Sequence, residues 1–227
     1  MTWGIIAALD AELELITGAM DIKEEKAIYG VKFYAGSIGG ADVAAVCCSI
    51  GTVNAAACAS VLVREFGADV LVNIGVAGSV SEDLGILDVV LSSEVVFHDA
   101  DNQILKKYYP FRESFPADPE LIELAEKSIA QMKEREFEYK IGRIATGDVF
   151  VRERQFKEDI VSRFGPLCVE MEGAAIGQIA YMSGLPFIVI RSLSDEGDSD
   201  AFISFESFLE RAAKNSAGIV LKMLELR

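Results

Sequence analysis

Residues 168–180 read CVEMEGAAIGQIA: a short apolar run ends in two carboxylates, Glu170 and Glu172, with Met171 between them, and an uncharged segment of small and apolar residues follows. The run suits the end of a buried strand and the segment after it a buried helix, so the acids stand at a strand-to-helix junction inside what is otherwise core. Isolated buried carboxylates are costly and are kept only where they are paired, hydrogen-bonded or used. In open α/β sheets ligands gather beyond the carboxyl ends of strands. This junction therefore points at once to a fold class and to the place where a site should be sought.

The same alternation runs outward along the chain. Strands are expected near residues 3–8, 31–37, 43–49, 70–75, 89–97, 139–145, 167–170 and 187–192, and helices near 11–19, 53–66, 119–132, 153–163, 172–183 and 205–226. That order describes an α/β protein whose sheet is covered on both faces. The neighbouring strands around SIGGAD, residues 37–42, read as a hairpin, which makes the sheet mixed rather than wholly parallel. Residues 98–119 lack periodicity and hold three of the five prolines; a loop of that length in a compact domain is usually functional or mobile. With 227 residues and no repeat, linker or low-complexity tract, one domain over 1–227 is expected.

Charge excludes several partners. Against 36 acidic residues stand 21 basic ones, for a net charge of −15, which disfavours nucleic acid and anionic membrane surfaces. The amino terminus MTWGIIAALDAELELI has no basic region before its apolar run, so it does not read as a secretory signal, and a cytoplasmic location is the expectation. The uncharged run 43–63 is long enough to raise a membrane helix, but Gly51, Thr52 and Asn54 divide it into a buried strand, a tight turn and a packed helix. Cys47, Cys48, Cys58 and Cys168 have no CxxC pair and no metal spacing, and read as buried thiols in a reducing compartment.

At the expected strand ends stand Asp10 and Glu12, Asp99 and Asp101, Asp148, Glu170 and Glu172, and Asp195, opposed by Arg191 and His98. So anionic a site, with a single arginine, suits a neutral or cationic ligand better than a phosphorylated one. GVAGS, residues 75–79, lacks the three-glycine dinucleotide pattern, and SIGTVNA, 49–55, lacks the length and lysine of a P-loop. Their glycines serve either close packing at strand ends or direct ligand contact. His98, in HDAD, is the one histidine of the chain; a metal site ordinarily needs more nitrogen or sulfur ligands, so a hydrogen-bonded structural histidine is expected, and no metal or cofactor is.

Taken together, GIIAALDAELELI, NIGVAGSV, FHDAD, ATGDVFV, VEMEGAAIGQIA, RSLSDEGD and SFESFLERAA resemble, over almost the whole chain, the nucleoside phosphorylase and hydrolase superfamily. Within it the resemblance is to the 5′-methylthioadenosine/S-adenosylhomocysteine nucleosidases, with Glu12 pointing to the hydrolase branch. It implies a three-layer α/β/α fold around a central mixed sheet. It also implies hydrolysis of the N-ribosidic bond of those two nucleosides, with 5′-deoxyadenosine a further candidate.

By this resemblance Asp195, supported by Ser194, would protonate or hydrogen-bond adenine N7, and Glu12 would position and deprotonate the water. For Glu12 a helix-start carboxylate favoured by the dipole is the structural alternative. Glu172 would accept the ribose hydroxyls beside the backbone of Met171, and Glu170 and Arg191 would complete the polar floor, an internal Glu170–Arg191 ion pair being the alternative. Phe150 would pack on the adenine face and the backbone of Val151 would read its edge. Leu9, Ile50 and Phe205 would line the sugar and 5′-substituent, with Val76, Ala77 and Gly78 on the strand behind. A homodimer is implied, its partner closing the 5′ subsite through Asn102 and Leu105. Two departures stand out: Val76 where many relatives carry a serine near the water, and Leu9 in place of a methionine, a volume-conserving change.

Rival functions are a futalosine or aminofutalosine hydrolase, a purine nucleoside phosphorylase, and a catalytically silent nucleoside-binding protein. The phosphorylase needs positive charge where Glu12 stands. The silent binder is disfavoured by Glu12, Glu172 and Asp195 occurring together.

Overall fold

In the computed structural model, residues 1–197 and 201–227 are described, so Asp198 of the RSLSDEGD motif lies outside the described residues. Ten strands form a single mixed sheet. At its centre β1 (Thr2–Ala7) pairs in parallel with β4 (Ala41–Cys47) on one side and β5 (Ala68–Ser79) on the other. Their runs of apolar residues are buried on both faces, as parallel strands covered by helices require. Beyond β4 lie β3 (Val31–Ile38) and, at the edge, β2 (Asp21–Ile28), both antiparallel. The expected hairpin is present: Gly39 and Gly40, both at positive φ, make the two-residue turn between β3 and β4.

The edge strand β2 was not expected. Its sequence DIKEEKAI is mostly exposed and lacks alternation. Charged side chains of this kind protect a sheet edge from pairing with another chain.

On the other side the sheet closes on itself. β5 pairs with β10 (Phe187–Asp195), β10 with β6 (Val89–Phe97), β6 with β8 (Tyr139–Thr146), β8 with β9 (Cys168–Glu170), and β9 returns to the end of β5 at Gly78 and Ser79. Register shifts in β10 between Leu193 and Asp195, and in β6 between Ser92 and Glu94, supply the local bends such closure needs. The consequence is positional: β5, β9 and β10 all end beside one another.

Helices cover both faces. On one, α2 (Thr52–Glu65) and α6 (Gly173–Ser183) bury Ala55, Cys58, Ala59 and Leu62 against Ala174, Ile176 and Ala180. On the other, α1 (Asp10–Ala19), α4 (Pro119–Gln131) and the long α7 (Ala201–Leu226) bury Leu13, Ile16, Leu121, Ile129, Val220 and Met223. The run 43–63 divides into strand, turn and helix as expected, and no helix among the described residues is long and apolar enough to cross a membrane. Four free cysteines remain, three of them buried.

The segment 98–119, expected as an irregular loop, contains α3 (Asn102–Lys107) and the short β7 (Ser114–Pro116). Asp101 starts α3 by accepting from the amides of Gln103 and Ile104. α5 (Arg154–Phe164) completes the set.

Candidate active site

Every residue that the sequence assigned to this chain's own site lines one cavity of about 350 Å³ at the carboxyl ends of β1, β5, β9 and β10. Glu12 enters from the first turn of α1 and is 1% exposed. Its Oε2 accepts from the amides of Ala8 (2.8 Å) and Leu9 (2.9 Å), and its Oε1 from Val76 across the sheet (3.0 Å). The bond to Leu9 ties the carboxylate to its own helix start, as the structural alternative has it, while the same side chain lines the cavity. Burial raises the Glu12 pKa above the ordinary carboxylate value, against the pull of Arg191 and the three amides.

The two acids of residues 168–180 divide their work. Glu170 is filled from inside the protein: Oε2 accepts from the amides of Glu172 (3.0 Å) and Gly173 (2.7 Å) and from Arg191 Nη2, and Oε1 accepts from the Thr146 hydroxyl. The internal Glu170–Arg191 ion pair, the alternative to a polar floor in the sequence reading, is therefore present, and both residues also line the cavity. Glu172 holds fewer protein donors, the Gly51 amide on Oε1 (2.8 Å) and Arg191 Nη2 on Oε2 (3.2 Å), which leaves acceptor capacity facing the cavity. Burial pushes its carboxyl up to about 7, with Glu170 and Glu12 adding to the rise and Arg191 and the Gly51 amide opposing it.

Arg191 is 1% exposed. Besides the two carboxylates, Nη2 donates to Asn73 Oδ1 (2.6 Å) and Nη1 to the carbonyl of Val76 (3.3 Å). Burial opposes its charge, and Glu170, Glu172 and Glu12 outweigh that opposition and raise its pKa. Asp195, on the end of β10, receives the Ser194 hydroxyl on Oδ2 (2.9 Å) and the Gly197 amide on Oδ1 (2.9 Å).

The glycines of GVAGS pack closely around these acids, and Gly78 also lines the cavity. A Cβ on Gly78 would lie 2.8 Å from Asp195 Oδ1, and one on Gly75 would lie 2.7 Å from Glu12 Oε1. Over the polar floor stands an apolar wall in which the rings of Phe150 and Phe205 meet edge to face, 6.1 Å apart at 84°. The floor is ionic and the wall is apolar, which fits a ligand with one hydroxylated end and one aromatic or thioether part.

Several residues depart from the sequence reading. Asp10, Asp99, Asp101 and Asp148 stand outside the cavity, so the site is less anionic than the full set of strand-end acids implied. Arg152, which was not considered, lines the cavity from an exposed position as a second arginine. Asn73 and Thr146 were also missed: both are fully buried and hold the charged floor through Arg191 and Glu170. Phe202 joins the apolar wall unanticipated.

His98 is buried edge-on against Phe156 (5.6 Å, 77°). Contrary to the expected hydrogen-bonded histidine, neither ring nitrogen has a partner among the described residues. Burial lowers its pKa, with Asp99 and Glu170 opposing. No group of three or more potential metal-ligating side chains occurs among the described residues. Asn102 and Leu105 lie on α3 and do not line this cavity.

The strand-end floor and the closed sheet behind it match a known family along nearly the full length, with the phosphorylase superfamily model covering residues 2–225. The chain belongs to the phosphorylase superfamily. Among superfamily members, a 5′-methylthioadenosine/S-adenosylhomocysteine nucleosidase from Oceanobacillus iheyensis is 36% identical, over 99% of both chains. The solved nucleosidase of that name from Neisseria meningitidis, in complex with methylthio-immucillin-A, superposes with a TM-score of 0.93 at 32% identity, covering 100% of this chain and 99% of that one. A futalosine hydrolase of Helicobacter pylori superposes with a TM-score of 0.92 at 30% identity, covering 100% of this chain and 98% of that one. The backbone is thus shared between superfamily members named for different substrates.

Proposed function

We propose that this chain hydrolyses the N-ribosidic bond of 5′-methylthioadenosine and S-adenosylhomocysteine, releasing adenine and the 5-substituted ribose. The observation that carries the reading is the commitment of Arg191: its hydrogen bonds run to Glu170, Glu172, Asn73 and the Val76 carbonyl. The buried Arg191 cation of the floor is therefore neutralised by protein groups, while Glu12 stands beside it as a further carboxylate. An incoming phosphate dianion would meet net repulsion in a partly desolvated pocket, where charges act more strongly than in water. A water molecule meets none.

In this reading Glu12 orients the water and takes its proton as the water attacks the sugar's anomeric carbon. Its buried carboxylate gains basicity from desolvation. Glu172 accepts the ribose hydroxyls with its remaining lone pairs. Asp195, aimed by Ser194 and Gly197, hydrogen-bonds or protonates adenine N7 as the glycosidic electron pair moves onto the base. Phe150 packs on the adenine face, with Phe205, Leu9 and Ile50 along the sugar and 5′ side and the Val151 backbone at the adenine edge.

A homodimer accords with large apolar side chains left exposed on this side of the molecule: Ile50 at 47%, Val53 at 78%, Phe202 at 60% and Ile203 at 67%. The partner's Asn102 and the partner's Leu105 would close the 5′ subsite, and a reducing cytoplasm suits the four free cysteines. An assay of base release from methylthioadenosine, S-adenosylhomocysteine, 5′-deoxyadenosine and aminofutalosine tests the substrate assignment. Turnover of the first two supports it, and exclusive turnover of aminofutalosine transfers the chain to the futalosine hydrolases.

A further inference from the structure

Asp148 stands outside the cavity, yet it grips one end of a short relay whose other end is Glu172. Its Oδ1 accepts the Thr52 amide at 2.7 Å and its Oδ2 accepts the Thr52 hydroxyl at 2.6 Å. The preceding amide, that of Gly51, donates to Glu172 Oε1 at 2.8 Å. Two consecutive amides at the start of α2 thus point at two carboxylates, one outside the pocket and one inside it. Asp148 is itself aimed by Asp99, whose Oδ2 accepts the Asp148 amide at 2.7 Å.

The geometry needs Gly51. Its φ is +104°, and a Cβ there would come within 3.0 Å of Asp148 Oδ1. The N-cap of α2 is Gly51, which has no side chain to cap the helix, so the Asp148 carboxylate supplies an acceptor for the first-turn amide of Thr52, and the helix dipole favours its charge.

We propose that Asp148 is a positioning residue for sugar recognition: by clamping Thr52 it fixes the Gly51 amide, which in turn orients Glu172 toward the ribose hydroxyls. The proposal rests on the reading of Glu172 given above. Among the described residues, hydrogen bonds to the Glu172 carboxylate come from two directions, Gly51 and Arg191, and Arg191 is bound on several sides by other groups. The Gly51 amide belongs to a turn in which Ser49 also sits at positive φ, +68°. Without the clamp this turn relaxes and the lone pairs of Glu172 lose their fixed direction. A residue that merely supported the fold would weaken all ligands alike. A positioning residue weakens a ligand according to the hydroxyls it offers Glu172.

The test measures binding of an uncleavable carbon-linked adenosine analogue and of its 2′,3′-dideoxy counterpart to the parent protein, Asp148→Ala and Asp148→Asn. The parent should prefer the hydroxylated ligand, and Asp148→Ala should cut that preference about tenfold, the scale of one hydrogen bond to a charged group. Affinity for the dideoxy ligand should stay within about twofold, as for a surface substitution. Asp148→Asn, which keeps an acceptor for the Thr52 amide, should recover part of the preference. Equal weakening of both ligands, or an unchanged preference, overturns the clamp. If Asp148→Ala fails to fold, Thr52→Ala removes the hydroxyl half of the grip and is read the same way. A parent with no hydroxyl preference sinks the reading of Glu172 and the clamp with it, whereas a parent preference that survives Asp148→Ala sinks the clamp alone.

Discussion

Glu12 Oε1 lies 3.0 Å from the amide nitrogen of Val76, so a carboxylate carried by the first helix is anchored to the strand that ends beside Arg191 and Asp195. The anchor fixes one oxygen and the amides of Ala8 and Leu9 fix the other. Glu12→Gln should therefore bind substrate nearly as the parent does and lose turnover by about 10²–10⁴-fold, the usual worth of a general base. Because burial raises the Glu12 pKa, the parent's rate should fall on acidification at a pH above that of an ordinary carboxylate. A pH–rate profile of both proteins checks this. Near-normal turnover of the variant removes Glu12 from the role.

Glu170 offers a contrast because its oxygens are filled by Thr146, Arg191 and two amides. Glu170→Gln turns one acceptor into a donor facing donors and leaves Arg191 with fewer counter-charges. Breaking a buried pair in this way typically costs about 3–5 kcal/mol. Chemical denaturation should show that loss, and a variant as stable as its parent would contradict the assigned geometry.

The pH dependence of stability probes Glu172. Burial holds its folded-state pKa at about 7, above the ordinary glutamate value of 4.5, so between those two values the folded protein binds more protons at this site than the unfolded chain. Stability from this group is then fully present below the lower value and lost as pH rises through the upper one. Glu172→Gln has no such proton to lose. The difference in Tm between variant and parent should move in the variant's favour from pH 5 to pH 8, and a difference independent of pH would refute the raised value.

The acids and the arginine of the site were legible from their own chemistry, as charges at strand ends where such groups are out of place in core, whereas the apolar and backbone contributors such as Leu9, Ile50, Val151 and Phe205 were reached through the family resemblance. Asn73 escaped because a mid-strand polar residue among apolar neighbours gives no sign of which buried charge it serves, and Thr146, the last residue of β8, because a neutral hydroxyl stands out less than the charged groups at strand ends. The orientation of Glu172 by the Gly51 amide leaves no side-chain signal at all. In the fold, β2 was hidden by its charged, non-alternating sequence, and Tyr29 at φ +55° disguised the turn that follows it. The closure of β9 onto β5 joins Gly78 to Val169, a pairing so distant along the chain that local periodicity carries no trace of it. His98 was expected to be hydrogen-bonded because buried polar groups usually are, and here that rule is not met by the described residues.

What attacks the sugar separates a hydrolase from a phosphorylase. Arg191 is bound to Glu170 and Glu172, and Glu12 completes a carboxylate-rich floor that repels a phosphate dianion and holds a water. The direct measurement is adenine release from methylthioadenosine in phosphate-free buffer and with phosphate added, with the sugar product identified by mass. Equal rates and a free 5-methylthioribose product are expected; activity that disappears without phosphate, together with a ribose 1-phosphate product, would contradict the account.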